Sequence, residues 1–144
     1  MFSSFGARSA SAYQQIGVQS VVTEASPHQL INMLFDGLLK SLSSARTAMQ
    51  NRNVEEKIRH ISKAQRIIQE GLILGLDLEK GGELAENLLA LYDYCAVKLT
   101  QANASNNVAF LDEVEHLMGP VAKSWAAIGP DALNGNHNPI SVGG

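Results

Sequence analysis

Residues 26–50 read SPHQLINMLFDGLLKSLSSARTAMQ, and this stretch decides the class of fold. Ser26 can cap a helix, Pro27 suits the first helical position, and Gln29 completes a capping box three residues on. Behind this start, apolar side chains recur every three or four residues, as one face of a helix requires. They are Leu30, Leu34, Leu38, Leu42, Ala45 and Met49. The stretch therefore predicts one amphipathic helix of roughly 22 residues, about 33 Å long.

A second helical pattern begins after Asn53, whose side chain suits an N-cap, and it ends near Gly75. Two acidic residues in its first turn, Glu55 and Glu56, lie at the positive end of the helix dipole. Its predicted inward face consists of Val54, Ile58, Ile61, Gln65, Ile68 and Leu72. The short connection after residue 50 predicts that this helix runs antiparallel to the first.

Two more helices follow in the sequence. The paired glycines Gly81-Gly82 make a tight reversal easy, and the third helix runs from there to about Asn103. Its predicted core stripe is Leu84, Leu88, Leu91, Cys95, Leu99 and Ala102. The fourth helix begins near residues 106–107, and Pro120 should kink or shift it because proline removes one backbone hydrogen bond. Its predicted stripe is Leu111, Val114, Met118, Val121, Trp125 and Ile128.

These patterns predict an all-α fold, an antiparallel up-down four-helix bundle with an N-terminal lid segment and a disordered C-terminal tail. Residues 1–24 are the predicted flexible lid, because their first half is mostly Ser, Ala and Gly around two Phe. The bundle spans residues 25–129. The tail spans residues 130–144 and is rich in Gly, Asn and Pro.

Composition excludes several classes of function. The 144 residues suit one domain, and a net charge of −3 without a basic stripe argues against nucleic acid as a partner. No apolar run approaches the ~18 residues of a membrane span, so we expect no membrane insertion and a cytoplasmic location. The single cysteine, Cys95, predicts a small buried residue and no internal disulfide. We expect no cofactor.

Two of the helices carry more apolar residues than one core-facing stripe needs. In the first helix these residues spread over roughly half the circumference. In the third, a second stripe lies about 100° from the core stripe and consists of Ala85, Leu89, Tyr92 and Ala96. One interpretation is that neighbouring helices flank both broad faces. The other is an exposed apolar groove that binds an amphipathic segment, with residues 13–22 as its lid.

Histidines raise two chemical alternatives. His60 followed by Lys63 resembles the exposed pair of a phosphotransfer bundle, and this function is the alternative to a binding module. His116 belongs to a lone Glu-x-x-His unit, whereas carboxylate-bridged metal bundles need two such units, so a metal role is rejected. No catalytic constellation is visible, and we expect the protein not to be an enzyme.

Two stretches of the sequence resemble one family, the flagellin-specific export chaperones of the bacterial flagellum (FliS). Residues 25–37, ASPHQLINMLFDG, are similar to the family's first signature, and residues 75–94 are similar to its second. The resemblance implies a helical bundle that binds the disordered C-terminal segment of flagellin in the cytoplasm and prevents premature polymerisation. It also implies delivery to the cytoplasmic domain of the flagellar export gate. Phe35 stands where the family also has tyrosine, which removes a hydroxyl.

The resemblance and the surplus apolar surface together give a predicted partner-binding set. The family's N-terminal segment covers part of the groove when the client is absent, which adds three residues before the bundle. The predicted set is Tyr13, Ile16, Val18, Leu34, Phe35, Leu38, Leu72, Ala85, Leu89, Tyr92 and Ala96. A monomer and a homodimer formed by exchange of the lid are both left open.

Overall fold

The computed structural model describes residues 25–128, which form an antiparallel bundle of helices without a strand in that range. The helices are α1 (Pro27–Gln50), α2 (Val54–Arg66, continuing as a π-helix over Ile67–Leu72), α3 (Leu78–Ser105) and α4 (Val108–Ile128). The predicted all-α up-down four-helix bundle is confirmed. The predicted lid, with Tyr13, Ile16 and Val18, and the predicted tail lie outside the described residues.

Helix α1 begins as its sequence predicts. Ser26 Oγ accepts a hydrogen bond from the Gln29 backbone N–H at 3.1 Å, and Gln29 Oε1 accepts one from the Ser26 N–H at 2.9 Å. Both halves of the capping box are therefore formed, and Pro27 occupies the first helical position. The helix ends at Gln50, so both predicted bounds are confirmed.

The core lies between the four helices. Helix α1 packs against α2 and α4, and α3 closes the square by packing against the same two helices. Because buried apolar area stabilises the fold by about 25 cal/mol per Å², these inward faces hold the helices together. The largest fully buried side chains are Leu34, Leu38, Leu42, Ile61, Ile67, Ile68, Cys95, Leu99, Leu111, Val114 and Met118. The prediction that Cys95 is buried is confirmed.

Helix α2 differs from its prediction at both ends. Its last residues widen into a π-helix, where the Ile73 N–H bonds to the Ile68 carbonyl at 2.8 Å, five residues back. At its start, Val54 and Ile58 were predicted to face the core but are exposed, which makes that prediction wrong. Val54 is the first helical residue and lies at the end of the bundle, and the inward face instead begins at Lys57.

Glycine lets α2 approach α1 closely at this π-helix. An added Cβ on Gly71 would lie 3.0 Å from Leu34 Cδ2, and one on Gly37 would lie 3.3 Å from Ile67 Cδ1. Gly37 thus serves the packing of the two helices. The structure places it in the α1 and α2 contact.

Helix α3 ends later than predicted, and its continuous part follows the predicted break at Gly81-Gly82. Asp77 caps it, since its carboxylate accepts from the Lys80 backbone N–H at 3.1 Å. A break follows at Gly82, whose φ of 56° and ψ of −134° fall where a side chain would be strained. The helix ends at Ser105 with Asn106 in the left-handed conformation, three residues beyond the predicted stop at Asn103.

Helix α4 continues through Pro120 and ends at Ile128. Its last turn is tied to the start of α1 by a reciprocal pair. Trp125 Nε1 donates to the His28 carbonyl at 3.1 Å, and His28 Nε2 donates to the Trp125 carbonyl at 2.8 Å. The two rings stack with centroids 5.1 Å apart. This pair fixes α1 and α4 against each other at one end of the bundle.

Candidate partner-binding site

The two ends of the bundle differ in how far α2 accompanies α3. Helix α2 has 13 α-helical and 6 π-helical residues, α3 has 23 residues after its break at Gly82, and α1 has 24. Gln65 Nε2 donates to Thr100 Oγ1 at 2.8 Å, which sets the level of α2 against antiparallel α3. Leu72 is seven residues further along α2, and Asp93 is seven residues back along α3. The Gly75 N–H still bonds to the Gly71 carbonyl at 3.1 Å, so the last turn of α2 reaches the level of about Ala90, and the part of α3 before it extends past α2.

Leucines cover this extended part of α3. Leu84 is 54% exposed, and Leu88, Leu89 and Leu91 are half-buried. We call these four residues the overhang surface. Removing water from leucine side chains lowers the free energy. A set of four partly accessible leucines on one short stretch is therefore typical of a binding surface.

The opposite end of the bundle is closed by polar contacts. Arg46 bridges to Asp112 at 2.6 Å and to Glu115 at 2.5 Å, which joins α1 to α4. These two carboxylates raise the pKa of Arg46 through hydrogen bonds and charge. Lys57 is buried, and its ammonium donates to the Asn103 carbonyl at 3.2 Å and to Asn106 Oδ1 at 3.3 Å. A cation near the C-terminus of α3 also interacts favourably with the helix dipole.

On α1, the predicted groove residues lie in the core. Leu34, Phe35 and Leu38 are all buried, since α2 covers one side of α1 and α4 covers the other. The expectation that part of this broad apolar face points outward is wrong for these three side chains. Their role in binding a partner stays a prediction, and it requires the bundle to open.

On α3, most of the predicted surplus stripe is buried, and the predicted core stripe is exposed at its first residue while Leu88 and Leu91 pack against the core. Ala85, Tyr92 and Ala96 were predicted to form the surplus stripe and are buried, whereas Leu84 was predicted to be in the core and is exposed. Burying the Tyr92 ring removes more apolar area than burying Leu84 would, which favours this rotation of the helix. Leu89 stays partly accessible and Leu72 is buried, so Leu89 is the accessible member of the predicted set among residues 25–128.

Tyr92 carries a polar atom into this region. The residue is 4% exposed, and its hydroxyl forms no hydrogen bond with any part of residues 25–128. Burial is the main reason that the pKa of Tyr92 is raised far above its usual value, with Cys95 as a second cause. Burial also raises the pKa of the Cys95 thiol to about 11. Both groups are neutral at physiological pH, and a reactive thiolate is disfavoured.

A polar cluster that the sequence did not reveal joins α3 to α4 on the surface. The Tyr94 hydroxyl donates to Glu113, which raises the pKa of Tyr94. Lys98 Nζ lies 3.9 Å from the same carboxylate and 5.1 Å from the ring centroids of Tyr94 and Phe110. The spacing of Tyr94 and Lys98 on one helical face is the one sequence signal for this cluster.

The histidine alternatives gain little from the structure. His60 was expected to be exposed, but its side chain is 19% exposed and its Nε2 lies 3.3 Å from Glu56 Oε1. That carboxylate is held charged by Arg59, whose hydrogen bond lowers the pKa of Glu56. An anionic phosphodonor would approach Nε2 against this charge, which disfavours phosphotransfer. Across residues 25–128, no three His, Cys, Asp or Glu side chains are grouped to hold a metal ion.

Comparisons with known proteins agree on one family. The family described as "Flagellar protein FliS" matches residues 9–132. The chain is 49% identical over 121 residues to the flagellar secretion chaperone FliS of Salmonella typhimurium, which covers 84% of this chain and 90% of the relative. It is 46% identical to the Escherichia coli protein of that name over 84% and 89% of the two chains.

A more distant relative with the same printed name comes from Bacillus subtilis. Its identity is 38% over 114 residues, which covers 79% of this chain and 80% of the relative. The described helices, for their part, include none with the length and sustained hydropathy that crossing a membrane would take.

Proposed function

The chain belongs to the FliS family of flagellar secretion chaperones, and from this premise we propose that it binds the disordered C-terminal segment of flagellin. The proposal includes a cytoplasmic location, protection of flagellin from premature polymerisation, and delivery to the cytoplasmic domain of the export gate. The overhang surface is the observation that carries it. Capture of this kind is non-covalent, so it needs no catalytic group and no cofactor.

Apolar burial supplies the affinity in this proposal. Each leucine that becomes fully buried contributes about 1.5–3 kcal/mol, and the overhang surface offers four that are partly or largely accessible. A disordered partner loses several kcal/mol as it becomes ordered, which offsets part of that gain. The net result is a complex strong enough to form and weak enough to dissociate when flagellin is exported.

The lid forms the second part of the proposal. Residues 1–24 would cover the overhang surface when flagellin is absent, with Tyr13, Ile16 and Val18 as the covering side chains. Because the segment is tethered to α1 at residue 25, its effective concentration is high even if each contact is weak. Exchange of this segment between two copies would give the homodimer that the sequence left open.

Calorimetric titration with a peptide spanning the C-terminal segment of flagellin from the same organism tests the proposal. Wild-type protein should bind one peptide with a negative heat-capacity change, the mark of apolar burial. Leu84→Arg and Leu89→Arg should each weaken binding at least tenfold, because a buried guanidinium without a partner is costly. Deletion of residues 1–22 should change the affinity if the lid competes.

The matched control lies on the same helix. Val97 is 55% exposed, close to the exposure of Leu84, but it lies in the half of α3 that α2 accompanies. Val97→Arg should bind the peptide as wild type does. Absence of binding by wild-type protein would overturn the chaperone proposal, and equal losses in Val97→Arg and Leu84→Arg would overturn the assignment of the surface.

A further inference from the structure

We propose that the Tyr92 hydroxyl is a specificity-determining donor for the bound segment, and that it selects a carbonyl oxygen at one fixed position. The inference rests on the proposed function, since it names one contact within that binding site. It predicts that the segment is recognised by more than its apolar side chains. A carbonyl bound at this point would fix the register of the segment on α3.

The first argument is the lack of a partner for a buried donor. The Tyr94 hydroxyl on α3 and the Trp125 indole on α4 both have acceptors, since Tyr94 donates to Glu113 and Trp125 donates to His28. Tyr92 is buried to 4% exposure and has no such partner among residues 25–128. A buried donor without an acceptor is destabilising, and native structures rarely keep one without a reason.

The second argument is position. The contact between Gln65 and Thr100 puts Tyr92 level with the last turns of α2, close to where the overhang surface begins. Side chains in an α-helix lean toward the helix N-terminus. By this rule, a side chain at position 92 lies over the preceding turn, which carries Leu88 and Leu89, the half-buried leucines of that surface. A segment that covers these leucines would lie next to the buried Tyr92 ring.

The third argument is chemical state. The raised pKa keeps the phenol protonated at every physiological pH, so it is a donor and attracts an acceptor. A segment that placed an apolar group here would leave the hydroxyl unpaired, whereas a carbonyl would satisfy it. Sites that bury a polar group discriminate strongly between such ligands.

Tyr92→Phe in the full chain tests this inference, because it removes the hydroxyl and keeps the ring. The thermal midpoint should stay unchanged or rise, since the variant loses a donor that has no acceptor among residues 25–128. Affinity for the flagellin peptide should fall about tenfold, the usual value of a hydrogen bond in a desolvated site. The heat-capacity change should match that of wild type, because the apolar contacts remain.

Tyr94→Phe is the matched control, since it removes a hydroxyl two residues away that bonds within the protein. Its affinity should equal that of wild type. If wild type and Tyr92→Phe bind equally well, the inference is overturned while the chaperone proposal stands. If wild type does not bind, the chaperone proposal itself fails.

A spectroscopic measurement on unmutated protein makes the test independent of the variant. The chain has three tyrosines, so ring-labelled protein gives three Cζ resonances. Peptide binding should shift the Tyr92 resonance as its hydroxyl gains an acceptor, and should leave that of Tyr94 in place. An unmoved Tyr92 resonance in the saturated complex would overturn the inference.

Discussion

The two ends of this bundle are built from the same four helices, but one is closed by polar contacts and the other leaves apolar side chains accessible. At one end Arg46 and Lys57 satisfy carboxylates and the last carbonyls of α3, and the helices finish together. At the other end α2 stops early, and α3 extends past it with Leu84 exposed. The difference teaches that the level at which neighbouring helices end can leave apolar side chains accessible, without any change in how the helices pack.

The largest difference is expected between replacing a core leucine and replacing an overhang leucine, measured as the loss in the free energy of unfolding. Leu34 is fully buried against Gly71, so Leu34→Ala should reduce the free energy of unfolding by about 3 kcal/mol through lost burial and a cavity. Leu84→Ala should cost less than about 1 kcal/mol, because that side chain is already half in water. Urea denaturation measures both. Equal losses would mean that the overhang is part of the core.

The features that the sequence predicted correctly depend on residues that are close together along the chain. The capping box at Ser26 and the spacing of leucines in α1 depend on neighbours within one or two turns, and both predictions held. In the π-helix, Gly71 lies close to Leu34, 37 residues away along the chain, and no local pattern reveals this contact. His60 was placed wrongly for a related reason, since its exposure depends on how α2 is rotated and on Glu56.

The candidate site was less predictable than the fold. Periodicity found two apolar stripes on α3 and assigned the leucine-rich one to the core, but periodicity does not show how each stripe packs against the neighbouring helices. Tertiary packing chose the stripe with Tyr92. The overhang surface depends on where α2 ends relative to α3, and helix ends are the least predictable part of a helical pattern.

The pH dependence of stability should show where the closed part of α3 begins. Cys95, one turn beyond Tyr92, is buried, and its pKa is raised from an ordinary value near 9 to about 11. The folded state thus favours the protonated thiol, so its stabilising effect is complete below pH 9 and is lost as the pH rises to about 11. The loss should be on the order of 1.5 kcal/mol after allowance for partial solvent screening.

Comparison with Cys95→Ala isolates the thiol from other groups that titrate in alkali. Chemical denaturation between pH 8 and 11 should give a steeper decline for wild type than for the variant. Parallel curves would show that the thiol is as accessible in the folded chain as in the unfolded one. The closed part of α3 would then begin beyond Cys95.

The smallest loss of stability is expected from weakening the pair of Trp125 and His28, which joins α1 to α4 at the end of the bundle with the overhang. Trp125→Phe keeps a ring against His28 but removes the indole donor to the His28 carbonyl, which should cost about 1 kcal/mol. Hydrogen exchange should accelerate in the first turn of α1 and stay unchanged around Lys57. Lys57→Met is the counterpart at the closed end and should accelerate exchange in the last turn of α3 alone. If either variant loosened both ends, the ends would unfold as one cooperative unit, and the overhang could not adapt to a partner independently of the core.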